Sequence, residues 1–106
     1  MITHDEIQTL TDDIVRHFRP EKVVLFGSFA SGTPTLGSDA DLLVIMDFEG
    51  NALDKMAEII YTVHPKIPVD LVVRTRRMIE YRISIGDPFI KEIHETGRVM
   101  YERHNA

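Results

Sequence analysis

Cysteine is absent from this chain of 106 residues, and so is any long apolar run. Without cysteine the chain has neither a disulfide nor a thiolate metal site, which agrees with a reducing compartment. No run of about 18 apolar residues predicts a transmembrane helix, and the first residues lack the basic and apolar segments of a signal peptide. We therefore expect a cytoplasmic protein that has no contact with a membrane.

Negative charge exceeds positive charge, and the positive charge is unevenly placed. The formal net charge is −5, which disfavours a general nucleic-acid-binding protein because such proteins neutralise phosphates with Lys and Arg. Lys and Arg are missing from Val23 to Asp54, where carboxylates concentrate. Four arginines then follow: Arg74, Arg76, Arg77 and Arg82. This distribution fits a metal and an anionic nucleotide, and it fits solvated surface equally well.

The length allows one modest domain, so we expect residues 1–106 to form a single domain. Helical and alternating apolar patterns predict the order helix, strand, strand, helix, strand, helix, helix, strand. That order predicts an α/β (α+β) fold in which helices pack on a small mixed sheet. The order of the strands within the sheet stays open.

Caps, glycines and prolines predict where the elements begin and end. Thr3 and Glu6 form a capping box at the first helix, and Pro20 follows its end. The predicted strands are Lys22–Phe26, Asp41–Asp47, Ile67–Val73 and Arg98–Glu102. The later helices are predicted from a cap at Asn51 or Asp54 to His64, from Thr75 to about Ile85, and from Asp87 to Thr96.

Side-chain directions and the chain end give further expectations. In the last helix the apolar pattern directs Phe89, Ile90 and Ile93 inward. In the last strand, alternation places Val99 and Tyr101 on one face. We expect residues 104–106 to be frayed.

The segment between the first two strands, Gly27 to Asp41, carries the chemistry. Gly27 lets the chain turn, Ser28 begins a short helix, and Gly32 ends it. Free N–H groups at such a start attract phosphate, and the Ser28 hydroxyl adds a donor. Asp39 and Asp41 lie on one face of an extended chain. Two such carboxylates repel each other unless a proton or cation intervenes, and oxygen ligands beside phosphate suit Mg²⁺.

The same carboxylates also admit a structural interpretation. Ser38 and Asp39 would form an Asx turn that opens the strand, with Asp41 facing solvent. Asp70 is the one charged residue in the third strand, and the residues alone leave it either as a solvated strand-end carboxylate or as part of a site.

A Gly-Ser pair, ten further residues and then Asp-x-Asp, between two apolar strands, resembles the signature of the DNA polymerase beta-like nucleotidyltransferase superfamily. The segment Ser-Asp-Ala-Asp-Leu-Leu-Val is similar to the corresponding segment of the minimal branch of this superfamily, the MNT proteins. These proteins are commonly the antitoxins of HEPN/MNT toxin–antitoxin pairs. The resemblance extends from about Pro20 to Glu102. Many relatives carry Arg or Lys before the second glycine, where this chain has Ser31. A basic contact to phosphate from this loop is therefore not expected.

The resemblance implies a palm-like core and a set of site residues. Asp39, Asp41 and Asp70 would be the catalytic carboxylates and would hold two Mg²⁺ ions. Gly27 and Ser28 would bind the phosphates of ATP. Asp70 would also accept the proton of the attacking hydroxyl.

The resemblance further implies an antitoxin that transfers AMP from ATP to a hydroxyl side chain, often tyrosine, of a HEPN ribonuclease toxin. The protein would form a hetero-oligomer with that toxin. Two alternatives stay open: a non-catalytic antitoxin that inhibits by binding, with or without degenerate catalytic residues, and a nucleotidyltransferase for a small molecule such as an aminoglycoside.

Overall fold

The computed structural model describes residues 1–104, which form one four-stranded sheet with helices packed on both faces. In chain order the elements are α1 His4–Phe18, β1 Lys22–Phe26, α2 Ser28–Ser31, β2 Ala40–Ile45, α3 Ala52–Val63, β3 Val69–Arg74, α4 Arg76–Ser84, α5 Pro88–Thr96 and β4 Arg98–Glu102. The predicted order of elements is confirmed, and so is the short helix at Ser28.

The sheet is mixed, as predicted, with the strand order β3-β2-β1-β4. Strand β1 is antiparallel to both β2 and β4, whereas β2 and β3 are parallel. The end of β1 therefore lies beside the start of β2, and the start of β2 lies beside the start of β3. Three chain segments that carry the predicted site residues meet at this end of the sheet.

Most of the apolar core lies between the sheet and the pair α1 and α3. Its members from the two helices and from the sheet are fully or almost fully buried. They include Ile7, Leu10, Ile14, Ile59, Val23, Leu25, Leu42, Val44, Leu71 and Val73. Burial on this scale is the main favourable contribution to folding, and it fixes which face of each strand points away from these helices.

The opposite face of the sheet is covered more thinly, by α4 and α5. Val24 and Leu43 of the sheet pack with Ile93 of α5. From α4 only the partly buried Ile79 joins them, and none of the α4 residues, all of which the structure describes, is buried. This thin cover leaves the starts of β2 and β3 accessible on that face.

Helix caps follow the predicted chemistry. Thr3 and Glu6 form the capping box, since the Glu6 N–H donates to Thr3 Oγ1 over 3.1 Å and Thr3 N–H donates to Glu6 Oε1 over 2.9 Å. Asn51, rather than Asp54, caps α3 and accepts from Leu53 N–H at 2.7 Å. Thr75 and Asp87 cap α4 and α5.

The bounds of β2 and β3 differ from the prediction by one or two residues. Strand β2 covers Ala40–Ile45 rather than Asp41–Asp47, and β3 covers Val69–Arg74 rather than Ile67–Val73. The pairing of the two strands sets these bounds, because the paired residues run from Ala40 with Val69 to Ile45 with Arg74.

The prediction that Val99 and Tyr101 share one face of the last strand is wrong. Tyr101 pairs with Val23 and Val99 pairs with Val24, so an extra residue, Met100, bulges from β4. Because adjacent residues of β1 point to opposite faces, so do Val99 and Tyr101. Tyr101 packs on the main core, while Val99 remains 52% exposed.

Phe89 also departs from its predicted position. Ile90 and Ile93 are buried as expected, but Phe89 remains 43% exposed and meets Phe26 edge-to-face, with ring centroids 5.5 Å apart.

Of the tail expected to be frayed, residues 105–106 lie outside the described residues. Within residues 1–104, no helix combines the length and the hydrophobicity needed to cross a membrane.

Candidate active site

Two carboxylates face each other across neighbouring parallel strands. Asp41 is the second residue of β2, and its register partner in β3 is Asp70. Partners in adjacent strands lie about 4.8 Å apart along the hydrogen-bonding direction and project to the same face. That face is the thinly covered one, because Leu43 and Val72, each two residues further along, belong to the cluster under α4 and α5. Asp41 is half-buried and Asp70 is exposed.

Gly27 brings the turn after β1 against the Asp41 carboxylate. Its backbone has φ 74° and ψ −154°, a region that glycine alone adopts without strain. A Cβ at this position would overlap Asp41 Oδ2. The absent side chain thus allows the close approach of the turn to the carboxylate, and two predicted site residues are in direct contact.

Ser28 begins α2 beside that contact. Among the described residues its hydroxyl has no hydrogen-bond partner, and the amides of Ser28 and Phe29 have no acceptor. Ser31, which stands where relatives carry a basic residue, instead donates from Oγ to the Gly27 carbonyl over 3.1 Å and lies 3.1 Å from Thr33 Oγ1. The loop therefore presents neutral donors and no cationic side chain.

Asp39 lies just before β2 and is exposed. Its carboxylate accepts no hydrogen bond from residues 1–104; the turn before it is closed by Ser38, whose Oγ accepts from Thr35 N–H over 2.9 Å. The structure thus does not show the Asx turn at Asp39.

Partial burial, with the charges of Asp70 and then Asp39, raises the pKa of Asp41 above its ordinary value.

This donor set fits a hard divalent cation. Within the described residues, no three His, Cys, Asp or Glu side chains are arranged to hold a metal ion by themselves. Mg²⁺ needs only one or two protein carboxylates, because water and substrate phosphates complete its coordination. Burial, followed by the charges of Asp70 and Asp39, raises the pKa of Asp41, and a bound cation would favour its ionised form.

The sequence from residue 7 to residue 100 matches the family described as the nucleotidyltransferase domain. This chain belongs to the nucleotidyltransferase domain family. Among curated proteins none matches the chain.

Solved structures share the fold of this nucleotidyltransferase domain. A protein from Sulfolobus solfataricus assigned as a nucleotidyltransferase is 20% identical with a TM-score of 0.65, over 93% of this chain and 79% of that one. A toxin–antitoxin with AMP-PNP is 20% identical with a TM-score of 0.59, over 92% and 74%. A mutant of the toxin–antitoxin MntA-HpeT is 19% identical with a TM-score of 0.56, over 97% and 76%. At these identities the likeness concerns the fold, which is the nucleotidyltransferase fold.

Within residues 1–104, no salt bridge joins the arginines of the nucleotidyltransferase domain to Asp39, Asp41 or Asp70, although Arg74 and Arg82 line the same groove as Asp70. Arg76 Nε donates to Glu21 over 2.9 Å, and Arg82 Nη1 lies 3.7 Å from Asp87. Arg74 is half-buried and donates to the carbonyl of Val73 over 2.7 Å. Arg77 is exposed on α4. The sequence left this cluster either as a contact to an anionic nucleotide or as solvated surface. The ion pairs of Arg76 and Arg82, which are exposed, favour solvated surface.

A cleft of about 340 Å³ opens beside Gly27 and Ser28 and adds residues that the sequence did not single out. Besides the two loop residues, its lining consists of Phe26, Ser31, Thr33, Phe89, Glu92, Ile93 and Thr96. Helix α5 supplies four of the nine lining residues. Its position follows from packing on β1, and the sequence around Gly27 holds no signal for that packing.

Proposed function

We propose that this nucleotidyltransferase is an Mg²⁺-dependent antitoxin that transfers AMP from ATP to a hydroxyl side chain of a HEPN ribonuclease toxin. One observation carries the chemical part of the proposal: Asp41 faces Asp70 across β2 and β3 while Gly27 lies against the Asp41 carboxylate. Carboxylates and the unpartnered donors of Ser28 lie together there, and a nucleotidyl transfer needs metal-binding carboxylates as well as donors to phosphate. The toxin–antitoxin structures among the structural neighbours support a toxin as the partner. The HEPN class of that toxin and its hydroxyl acceptor rest on the family resemblance.

The roles of the residues follow from their positions. Asp39, Asp41 and Asp70 would hold Mg²⁺, which lowers the pKa of a bound hydroxyl and offsets the charge of the triphosphate. The free amides and hydroxyl at Ser28, with the turn at Gly27, would hydrogen-bond the outer phosphates. We assign two metal ions to the site on the strength of the family resemblance.

The transfer itself makes one bond and breaks one. The acceptor oxygen bonds to the α-phosphorus, the bond from that phosphorus to the bridging oxygen breaks, and pyrophosphate leaves. Asp70, the most exposed carboxylate of the facing pair, accepts the hydroxyl proton. Positioning and charge neutralisation supply most of the rate enhancement, because phosphoryl-type transfers need little covalent help from the protein.

The intact mass of the HEPN partner, after incubation with this protein, ATP and Mg²⁺, tests the proposal. We expect a gain of one or more AMP units with the wild type and none with the double variant Asp39→Asn/Asp41→Asn. Asp47→Asn is the matched control, because Asp47 is an exposed carboxylate beyond the other end of β2. Its transfer should equal that of the wild type.

The alternatives give different results in the same assay. A stable complex with no gain in mass, and full neutralisation of the toxin by the double variant, would show an antitoxin that acts by binding alone. Release of pyrophosphate only when an aminoglycoside is added would show a small-molecule nucleotidyltransferase.

A further inference from the structure

The outer edge of β3 is an unpaired strand edge. Within residues 1–104, β3 pairs with β2 on one side and with no strand on the other. The carbonyls of Pro68 and Arg74 accept from Ala40 and Met46, at 3.0 and 3.1 Å, so the even-numbered residues of β3 direct their backbone groups toward β2. Because these directions alternate along a strand, Val69, Leu71 and Val73 direct theirs to the open edge.

This open edge is the floor of a groove of about 580 Å³ between the start of α3 and helix α4. Five consecutive β3 residues, 70–74, line it, which corresponds to about 16 Å of extended chain. The walls combine exposed apolar side chains, Leu53 at 68%, Tyr81 at 61% and Met78 at 37%, with the charged side chains of Arg74 and Arg82. A strand edge with free backbone groups between such walls matches the requirements of an added peptide strand.

Proteins usually protect such an edge. Common protections are a charged or proline residue on the strand, a bulge, or a covering helix. Here Pro68 precedes β3, and Arg74 Nη1 donates a hydrogen bond to the Val73 carbonyl. The backbone groups of Leu71, between these two protections, have no partner within residues 1–104. Helix α4 lies beside the edge without burying any of its own residues.

The groove is continuous with the candidate active site, because Asp70 belongs to both. We infer that an extended segment of the protein acceptor pairs with the open edge of β3, between α3 and α4, and thereby places its hydroxyl side chain beside Asp70. The nature of this occupant rests on the proposed function. A strand paired with β3 alternates its side chains between two faces. The acceptor hydroxyl would lie on the face of Asp70, and its neighbours would contact Leu53 on the other.

Charge insertion into the groove walls tests the docking surface. Tyr81→Arg and Met78→Arg should raise the KM for the HEPN partner at least tenfold, while kcat and the KM for ATP stay unchanged. Tyr61→Arg and Ile83→Arg are the matched controls, since both side chains are exposed, at 78% and 57%, and lie outside the groove. Equal KM values for the groove variants and the wild type would overturn the inference.

Backbone pairing has a signature of its own. A synthetic peptide of about eight residues, centred on the hydroxyl that mass spectrometry identifies in the partner, serves as the probe. N-methylation of successive peptide amides should abolish AMP transfer at every second position only, because alternate amides face the paired strand. A uniform effect along the peptide, or none, would contradict strand addition.

Failure of the proposed function gives a different result from failure of this inference. If the wild type transfers no AMP, the function is wrong, and the groove is then judged by binding alone: a complex weakened at least tenfold by Tyr81→Arg and not by Tyr61→Arg supports docking there. If the free protein is a dimer that Tyr81→Arg converts into a monomer, the edge is occupied by a second copy, and the inference is overturned.

Discussion

The surroundings of Asp41 disfavour the ionised form of its carboxyl group. It is half-buried, it faces Asp70 across the sheet, and Asp39 lies two residues before it. Burial, then Asp70, then Asp39 raise the pKa of Asp41. A carboxylate kept in such surroundings destabilises the protein when it is ionised, and a bound cation would reverse that effect.

Replacement of Asp41 by Asn should therefore stabilise the metal-free protein. The pKa of Asp41 is higher in the folded than in the unfolded chain, so the folded protein retains a proton that the unfolded chain has released. The destabilisation is absent below the unfolded pKa of about 4, grows as the pH rises toward the folded pKa, and is complete above it. Urea unfolding in EDTA should show Asp41→Asn more stable than the wild type at pH 7 and equal to it near pH 3.

Asp47→Asn serves as the control for this measurement, since Asp47 is exposed and lies beyond the far end of β2. A stability gain for Asp41→Asn that is the same at both pH values would show that its cause is not the charge of the carboxylate.

At the scale of residues, the sequence shows the side chains of the candidate site but not their arrangement. The spacing of Asp39 and Asp41 and the glycine before Ser28 are visible in the sequence. The placement of Gly27 against Asp41 joins the turn after β1 to β2, and the register of Asp41 with Asp70 joins β2 to β3. Such contacts depend on pairing across the sheet, which the spacing of residues along the chain does not determine.

At the scale of elements, helices were predicted more closely than strands. A helix end is set by its own residues, as Thr3, Asn51, Thr75 and Asp87 show. A strand end is set by its neighbour, so β2 and β3 shifted by one or two residues, and the bulge at Met100 reversed the predicted face of Val99.

The cap of α3 offers a test at this scale, because α3 also forms one wall of the groove. Asn51 Oδ1 accepts from the amides of Leu53 and Asp54, at 2.7 and 3.2 Å. Asn51→Ala should lower the free energy of unfolding by about 1 kcal/mol, within a range of about 0.5–2. Asn51→Asp keeps the acceptor oxygen, and its free energy of unfolding should lie within a few tenths of a kcal/mol of the wild-type value. Equal losses in the two variants, measured by urea unfolding, would show that the cap is not the cause.

At the scale of the whole molecule, the strand order β3-β2-β1-β4 was not predictable from the sequence. The apolar patterns state which residues are buried, but several orders would bury the same residues. The observed order brings the candidate site together, because it places the starts of β2 and β3 beside the end of β1. It also leaves β3 at an edge of the sheet, which is the edge that we propose as the docking surface.

A site built from three distant segments should stabilise the whole fold when it is filled. A ligand that binds only the folded state contributes about 2.7 kcal/mol at a concentration one hundred times its Kd. Since 1 kcal/mol shifts the Tm of a domain of this size by about 4–8 °C, ATP with Mg²⁺ should raise the Tm by about 10–20 °C at that concentration. Calorimetry measures this shift.

Matched variants connect the shift to the site. Asp39→Asn/Asp41→Asn should show no shift with ATP and Mg²⁺, and Asp47→Asn should show the full one. The Tm of Tyr81→Arg should rise with ATP and Mg²⁺ as much as that of the wild type, because the groove is assigned to the protein acceptor and not to the nucleotide. A full shift in the Asp39/Asp41 double variant would show that these carboxylates do not hold the metal that accompanies ATP, and the roles proposed for them would be wrong.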